Sequence, residues 1–216
     1  MGVKVIIFDF DGTLADTFEA IVDITNNLAK DFGYEPATPE DIAQVRNLTS
    51  REIVKRSGIS VFKLPFLLKR VKENLRNDIH QLNPISGIKE VLYQLKEQGY
   101  ILGILTSNSE ENVRVFLRKQ EMIELFNLIY SAKTLFGKHK ALKKLMISHQ
   151  WKAEEVIYVG DETRDIESSH KINLKVIAVS WGFNSKEALV KQKPDFIIDH
   201  PGELVDLIEN LQQVLV

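Results

Sequence analysis

The chain has 216 residues, no cysteine and a formal net charge of -2 at pH 7. This length suffices to bury a substantial core, the balanced charge gives no reason to expect a nucleic-acid or membrane partner, and the lack of cysteine excludes disulfides, thiolate nucleophiles and cysteine-bound metals. Because no apolar run is long enough to span a bilayer and Asp9 comes too early for a signal peptide, we expect a cytoplasmic protein.

The first predicted element is a buried strand that leads directly into two acidic residues. Residues 3–8 are apolar except for Lys4 and rich in β-branched side chains, which favours a strand over a helix. Asp9 and Asp11 follow it, and Gly12 lets the backbone turn sharply and approach a ligand. Open α/β sheets bind ligands at the carboxyl ends of their strands, and two acids there need a cation or a shared proton. The pattern therefore predicts a metal-assisted acid pair, with an aspartate-rich turn as the simpler alternative.

Residues 16–83 are predicted to be helical throughout. Four helices are expected: one capped by Asp16 and ending at Gly33, two that begin at Thr38 and Thr49, and an amphipathic one over residues 64–79. No strand pattern interrupts this stretch, which indicates an insertion built from helices alone.

From residue 85 onward, predicted strands and helices alternate. The strands are expected over residues 100–105, 127–130, 156–159, 175–179 and 196–198, and the main helices over 86–98, 138–149 and 165–170. Such alternation is typical of a parallel sheet covered by helices. We therefore predict an α/β protein with a Rossmann-like three-layer core of residues 1–15 and 84–216. Residues 16–83 form an all-helical cap inserted after the first strand.

Polar side chains follow two of the later strands as well. Thr106, Ser107 and Asn108 precede a helix and offer hydroxyl groups and a helix N-terminus to a phosphate oxygen, although taken alone they are more simply a helix cap. Asp161 and Asp165 follow the strand at 156–159, where a helix cap is again the simpler alternative. Adjacent parallel strands would bring these acids to the first pair. Four clustered carboxylates indicate a hard divalent cation, and Mg²⁺ suits a phosphorylated substrate.

These motifs, taken in order, resemble those of a known family. The chain resembles the haloacid dehalogenase superfamily along essentially its whole length and matches its four motifs in order. These are Asp9-Phe10-Asp11-Gly12-Thr13, Thr106-Ser107-Asn108, Lys138, and Gly160-Asp161 with Asp165. A cap between motifs one and two is the arrangement of the subgroup that contains phosphoglycolate phosphatases and β-phosphoglucomutases. Residues 181–183 and 194–199 resemble the tail of the phosphoglycolate phosphatase branch.

The resemblance implies a role for each matched residue. Asp9 would attack phosphorus and form an aspartyl-phosphate, while Asp11 would protonate the leaving alcohol and then deprotonate water. Mg²⁺ would be bound by Asp9, the main-chain carbonyl of Asp11, and Asp161, with Asp165 orienting a metal-bound water or the motif-three lysine. The groups expected to hold the phosphoryl group are Gly12, Thr106, Ser107, Asn108 and Lys138. Relatives often carry Lys-Pro at motif three; spacing favours Lys138 here and leaves Lys140 open.

Two other functions remain open at this point. A β-phosphoglucomutase-like sugar-phosphate mutase would keep every core motif and differ in its cap. A non-catalytic binding or regulatory protein would be expected to lose the nucleophile, the acid or a metal ligand, and none is lost. A dehalogenase is disfavoured, because displacing a halide needs no acid and Asp11 is present.

The cap is rich in lysine and arginine between residues 46 and 76. A solvated helical surface is the simpler explanation, but one of these residues, with Arg46 the first candidate, could bind a second anionic group of a substrate such as phosphoglycolate. Caps of this kind close over the site, and we predict hinges at Leu14–Thr17 and Asn83–Gly87. The expected partner is a small phosphorylated metabolite, with no nucleic acid and no membrane, and the chain is expected to be a monomer or homodimer.

Overall fold

A computed structural model describes residues 2–60, 62–132 and 136–213 of the chain. Within these residues, six strands form one parallel sheet in the spatial order β3-β2-β1-β4-β5-β6. The strands are β1 (Val5–Phe8), β2 (Ile101–Thr106), β3 (Leu128–Ser131), β4 (Val156–Gly160), β5 (Lys175–Val179) and β6 (Phe196–Ile198). Their bounds agree with the predicted strands to within one residue at each end for β2 to β6. The first strand of the chain therefore lies in the middle of the sheet, between β2 and β4.

Helices cover both faces of this sheet, which confirms the predicted three-layer α/β fold. Four helices lie between β1 and β2 in the chain, namely α1 (Phe18–Phe32), α2 (Pro39–Val45), α3 (Ser50–Arg56) and α4 (Leu64–Asp78). The remaining helices are α5 (Ile88–Glu97), α6 (Glu110–Lys119), α7 (Lys138–Ser148), α8 (Thr163–His170), α9 (Lys186–Lys191) and α10 (Glu203–Gln213). Two short 3₁₀ helices, Ile123–Leu125 and Ala153–Glu155, precede β3 and β4.

Strand β1 supplies side chains to both layers of the core. Because successive side chains of a strand point to opposite faces, Ile6 and Phe8 pack with apolar residues of α5, α6 and α10. Val5 and Ile7 face the other way and pack with residues of α7, α8 and α9. Each of these side chains is almost completely buried, and burying one of this size stabilises the fold by about 1.5–3 kcal/mol. This burial fixes the position of Asp9, the next residue.

The helical segment between β1 and β2 has its own packing contacts. Apolar residues on one face of α1, including Ile24 and Leu28, meet Leu67 and Leu75 of α4 and join the core on that side of the sheet. Capping boxes begin α2 at Thr38 and α3 at Thr49, as the sequence predicts.

Three predicted helix starts were wrong, one of them that of α8, which begins at Thr163 rather than at Asp165. Helix α1 begins at Phe18 with Thr17 as its N-cap, because the Thr17 carbonyl accepts the first helical hydrogen bond, from the N–H of Ile21 at 2.9 Å. The N–H of Asp16 donates instead to the carbonyl of Asn83 at 3.0 Å. Helix α5 begins at Ile88 rather than Ser86, because Gly87 adopts a left-handed conformation with φ of 83°.

The two segments that join the helical insertion to the sheet run side by side. Ala15 pairs with both Asp11 and Pro84 as isolated β-bridges, and the N–H of Ile85 donates to the carbonyl of Leu14 at 2.9 Å. The cap boundaries and the hinge motion stay predictions, but the residues proposed as hinges are adjacent in space. Within the residues that the structure describes, no helix has both the length and the apolar character needed to cross a membrane.

Candidate active site

The carboxyl ends of β1, β2 and β4 meet at one edge of the sheet and carry most of the predicted site residues. Register pairs Phe8 with Ile104 of β2 and Val159 of β4, and the N–H of Asp9 donates to the Val159 carbonyl at 2.8 Å. Asp9 is therefore held between two strands, and only 1% of its surface is exposed. The sheet topology thus places motifs that are distant in sequence around one carboxylate.

Gly12 occupies a position that no other residue could fill. Its φ is 73°, which L side chains rarely adopt, and a Cβ atom there would lie 2.4 Å from Oδ2 of Asp161 and from the Phe183 ring. The next residue, Thr13, donates its hydroxyl to Oδ1 of Asp161 at 2.5 Å. The turn after β1 therefore packs directly against the acidic residue that follows β4.

Lys138, the first residue of α7, is a buried cation in contact with the acidic cluster. Its Nζ donates to Oδ2 of Asp9 and, at 2.6 Å, to Oδ1 of Asp165. Burial lowers the pKa of this ammonium group, but the charges of Asp165 and Asp9 outweigh it and hold the pKa above its usual value. Lys140, the other candidate for the same role, is exposed. Between the two lysines, the contacts with the acidic cluster belong to Lys138.

Three aspartates could hold a metal ion in this cluster. Asp9, Asp161 and Asp165 each have a carboxylate oxygen within 4.8 Å of the others, and all three are buried. Burial, with the nearby charges of Glu162, Asp9 and Asp165, raises the pKa of Asp161 well above its usual value. Buried carboxylates with this uncompensated charge are the hard oxygen ligands that Mg²⁺ prefers. The donor set therefore fits a hard divalent cation.

Asp11 lies beside the cluster in a different environment. Its Oδ1 accepts a hydrogen bond of 3.0 Å from Nδ2 of Asn108. Burial, and next the charge of Asp9, raise the pKa of Asp11 from 3.8 to about 7. A carboxyl group with such a pKa can hold and release a proton near neutral pH, as general acid and base catalysis requires.

Three polar side chains lie at the end of β2 and in the turn that follows it. Thr106 accepts the N–H of Asn108 at its hydroxyl at 2.9 Å, and Asn108 in turn bonds Asp11, so both are engaged in the turn around the site. The hydroxyl of Ser107 is only partly buried and accepts a hydrogen bond of 3.2 Å from Nη2 of Arg164. Of these three side chains, Ser107 and Asn108 contact charged residues of the site, namely Arg164 and Asp11.

Arg164 and Glu162 are members of the site that sequence reasoning did not assign. They form a bidentate pair, with Nε to Oε2 at 2.6 Å and Nη2 to Oε1 at 2.5 Å, and Arg164 is 7% exposed. Ser50 of the helical insertion also donates its hydroxyl to Oε2 of Glu162 at 3.1 Å. The sequence signal that could have indicated this ion pair is the presence of two opposite charges, two residues apart, within motif four.

Arg46, predicted to bind a second substrate anion, lies against the loop after β5. Its Nη2 donates to the carbonyl of Gly182 at 2.8 Å, and its guanidinium stacks 4.9 Å above the centre of the Phe18 ring. Phe18 in turn meets the ring of Phe183, whose main-chain N–H donates to Asp161. Arg46 thus reaches the neighbourhood of Asp161 from the helical insertion, while its contact with substrate stays a prediction.

Comparison with known proteins agrees with this geometry. Residues 6–179 match the family model of haloacid dehalogenase-like hydrolases. The chain is 39% identical over 211 residues to a phosphoglycolate phosphatase of Synechococcus elongatus, covering 98% of this chain and 100% of that protein. It is 28% identical over 213 residues to a phosphoglycolate phosphatase of Aquifex aeolicus, covering 96% and 98% of the two chains. Among solved structures, a "predicted phosphatase" from Clostridium acetobutylicum superposes with a TM-score of 0.85 at 21% identity, covering 98% and 100%.

The family match spans most of the chain, and the first of these relatives covers nearly all of it. Three of the four motifs that carry the resemblance lie at the ends of β1, β2 and β4, and the remaining one, Lys138 at the start of α7, contacts Asp9 and Asp165. The chain belongs to the haloacid dehalogenase-like hydrolase family and is a phosphatase similar to its phosphoglycolate phosphatase members.

Proposed function

We propose that this phosphatase is a Mg²⁺-dependent hydrolase of a small phosphorylated metabolite, with phosphoglycolate as the first candidate, and that it acts through an aspartyl-phosphate on Asp9. One observation carries the proposal. Three groups lie together in one site: Asp9, a buried candidate nucleophile; Lys138, a cation in contact with it; and Asp11, a carboxyl group with a pKa of about 7.

In the first step, an Asp9 carboxylate oxygen attacks phosphorus and the bond between phosphorus and the ester oxygen breaks. Asp11, whose pKa of about 7 leaves about half of the molecules protonated at neutral pH, gives its proton to the leaving alcohol. Lys138 neutralises charge on the transferring phosphoryl group, and the hydroxyl of Ser107 and nearby main-chain N–H groups hold its oxygens. The product of this step is a phosphorylated Asp9 and a free alcohol.

In the second step, water attacks the phosphorus of the aspartyl-phosphate. Asp11, now ionised, accepts a proton from that water, the bond from phosphorus to Asp9 breaks, and inorganic phosphate leaves. The second step restores both carboxyl groups to their starting protonation states. Dividing the hydrolysis in this way replaces one slow step with two faster ones.

Asp9 and Asp161 would hold Mg²⁺, together with the main-chain carbonyl of Asp11, and Asp165 would orient the ligands around it. When bound, the ion offsets the repulsion between the carboxylates and the phosphate and stabilises charge in the transition state. Asp165 already accepts hydrogen bonds from Lys138 and, at 3.1 Å, from the N–H of Glu162, which fixes its carboxylate.

The test is phosphate release from a panel of phosphomonoesters, with and without Mg²⁺. We expect release from phosphoglycolate that requires the metal and disappears in Asp9→Asn, a variant that keeps the shape of the side chain and removes the nucleophile. Asp23→Asn is the matched control, because Asp23 is exposed on α1 and, within the described residues, forms no ion pair with Lys138. Release that persists in Asp9→Asn would contradict the proposed intermediate.

A sugar-phosphate mutase is the alternative outcome of the same panel. It would move the phosphate of β-glucose 1-phosphate to another hydroxyl of the sugar and release little of it. Following the sugar phosphates together with free phosphate separates the two activities. Isomerisation without phosphate release from any ester would replace the proposed function.

A further inference from the structure

The loop formed by residues 182–185 lies directly on Asp161. The N–H of Phe183 donates to Oδ2 of Asp161 at 2.7 Å, and the N–H of Asn184 donates to its main-chain carbonyl at 3.3 Å. At Gly182, a Cβ atom would lie 2.2 Å from the same Oδ2. The position of this loop therefore determines how the Asp161 carboxylate is oriented.

The side chain of Asn184 links this loop to two other parts of the chain. It is 3% exposed, and its Oδ1 accepts the N–H of Thr163 at 2.8 Å, at the start of the helix that follows Asp161. Its Nδ2 donates to the main-chain carbonyls of Arg46 at 3.0 Å and Leu48 at 2.9 Å. One buried side-chain amide thus bonds both the first residue of α8, next to the acidic cluster, and the helical insertion.

Further contacts join the same two regions. The N–H of Ser185 donates to the Arg46 carbonyl at 2.9 Å, and its hydroxyl donates to Oδ1 of Asn47 at 2.6 Å. Arg46 returns a hydrogen bond to Gly182, described above. Segment 46–48 and loop 182–185 are therefore bound to each other through main chain and side chains in both directions.

We propose that Asn184 is a positioning residue that couples the docking of segment 46–48 to the orientation of Asp161. This inference rests on the proposed function, in which Asp161 is a metal ligand. When segment 46–48 is docked, loop 182–185 is held and the Phe183 N–H fixes the Asp161 carboxylate. When the segment leaves, the loop loses its support on one side. Because such coupling is reciprocal, metal binding at Asp161 must favour the docked segment by the same factor.

The variant Asn184→Asp separates the two halves of this link. An aspartate keeps the acceptor for the Thr163 N–H but has no N–H to donate, and it places a carboxylate against the carbonyls of Arg46 and Leu48. The matched control is Arg76→Ala, which removes another contact between the insertion and the sheet domain. That ion pair joins Arg76 to Glu111 at 2.5 Å, is exposed on both sides and has no contact with Asp161 in the described residues.

The measurement is amide hydrogen exchange of the full chain, with and without Mg²⁺ alone, read over residues 45–49. In the wild type and in Arg76→Ala we expect Mg²⁺ to slow exchange of this segment. In Asn184→Asp we expect faster exchange that Mg²⁺ no longer slows, and a Mg²⁺ dissociation constant at least about tenfold weaker by calorimetry. If Asn184→Asp does not fold, Asn47→Ala removes the exposed Ser185 contact and should show a smaller change in the same direction.

Two results would overturn the coupling: Mg²⁺ slowing exchange as much in Asn184→Asp as in the wild type, or no effect of Mg²⁺ on this segment in the wild type. Both readouts are independent of turnover. A wild-type chain that shows the coupling but hydrolyses no ester would therefore refute the proposed function and leave the role of Asn184 standing.

Discussion

Replacing Lys138 with methionine tests the charge arrangement of the site most directly. Methionine has nearly the same length and no charge, so the variant removes the cation and leaves Asp9 and Asp165 buried without their partner. Removing one member of a buried ion pair destabilises a protein by about 3–5 kcal/mol. In a chain of this size, each kcal/mol lowers the melting temperature by about 2–4 °C, so a decrease of about 6–20 °C is expected.

The assay compares thermal unfolding of the wild type, Lys138→Met and Lys140→Met. Lys140 lies on the same helix and is exposed, so its replacement should change stability by less than about 0.5 kcal/mol. Adding Mg²⁺ should restore part of the stability lost in Lys138→Met, since the ion supplies positive charge to the same carboxylates. Phosphatase activity should fall by a factor of about 10²–10³ in Lys138→Met, as for the loss of one group that stabilises the transition state.

This prediction fails if Lys138→Met unfolds at the wild-type temperature without metal, because Asp9 and Asp165 would then not depend on the ammonium group. It also fails if Lys140→Met loses as much activity as Lys138→Met. That second result would transfer the role to Lys140 and contradict the contacts that distinguish the two lysines.

Three other predictions concern Gly182, Asp11 and Arg46. Gly182→Ala should weaken Mg²⁺ binding in calorimetry and destabilise the fold by about 1–3 kcal/mol, because the added Cβ collides with Asp161. The control Gly202→Ala, which has open space at its Cβ, should change neither quantity. Equal Mg²⁺ binding in both variants would contradict this prediction. Without metal, stability should fall as pH rises from about 4 to about 7, since folded Asp11 retains a proton that the unfolded chain releases. The gain in melting temperature from Mg²⁺ should then be larger at pH 7.5 than at pH 5.5, and a pH-independent gain would refute it. Arg46→Ala should raise KM for phosphoglycolate by about tenfold, at a cost near 1.4 kcal/mol, but leave KM for esters without a carboxylate nearly unchanged; an unchanged KM for phosphoglycolate would exclude Arg46 as its ligand.

The sequence predicts those parts of the fold and site that depend on local patterns. An apolar, β-branched run followed by two aspartates identifies β1 and its strand end, because burial on both faces requires such a run in a central parallel strand. The helix starts at Thr38 and Thr49 likewise depend on signals within four residues, and the structure confirms both. Lys138 was preferred over Lys140 on spacing alone, and its side chain is the one that contacts the acidic cluster.

The features that the sequence does not predict depend on contacts between distant residues. Asn184 has no distinguishing local pattern, and its importance comes from three main-chain groups that lie up to 138 positions away. The cap assigned to Asp16 was wrong by one residue, since Thr17 accepts the first helical hydrogen bond while the Asp16 N–H bonds the distant Asn83. The sequence does not assign a role to Arg164, because charged residues are mostly solvent-exposed, whereas here the ion pair with Glu162 accompanies its burial.

The charges of the site explain why its stability and its chemistry are opposed. Lys138 bonds Asp9 and Asp165 directly, and Arg164, which forms a bidentate pair with Glu162, also acts through its charge on Asp9, Asp11 and Asp165. With Asp161 and Glu162 included, the buried and partly buried carboxylates outnumber these two cations. The raised pKa values of Asp11 and Asp161 show the cost of this excess, and a phosphate dianion entering the site would meet the same repulsion. A lysine that already bonds two carboxylates is insufficient to attract that dianion. In the proposed function, a divalent cation would remove both problems at once. The carboxylates that destabilise the metal-free protein would then be the groups that make phosphate binding depend on the metal.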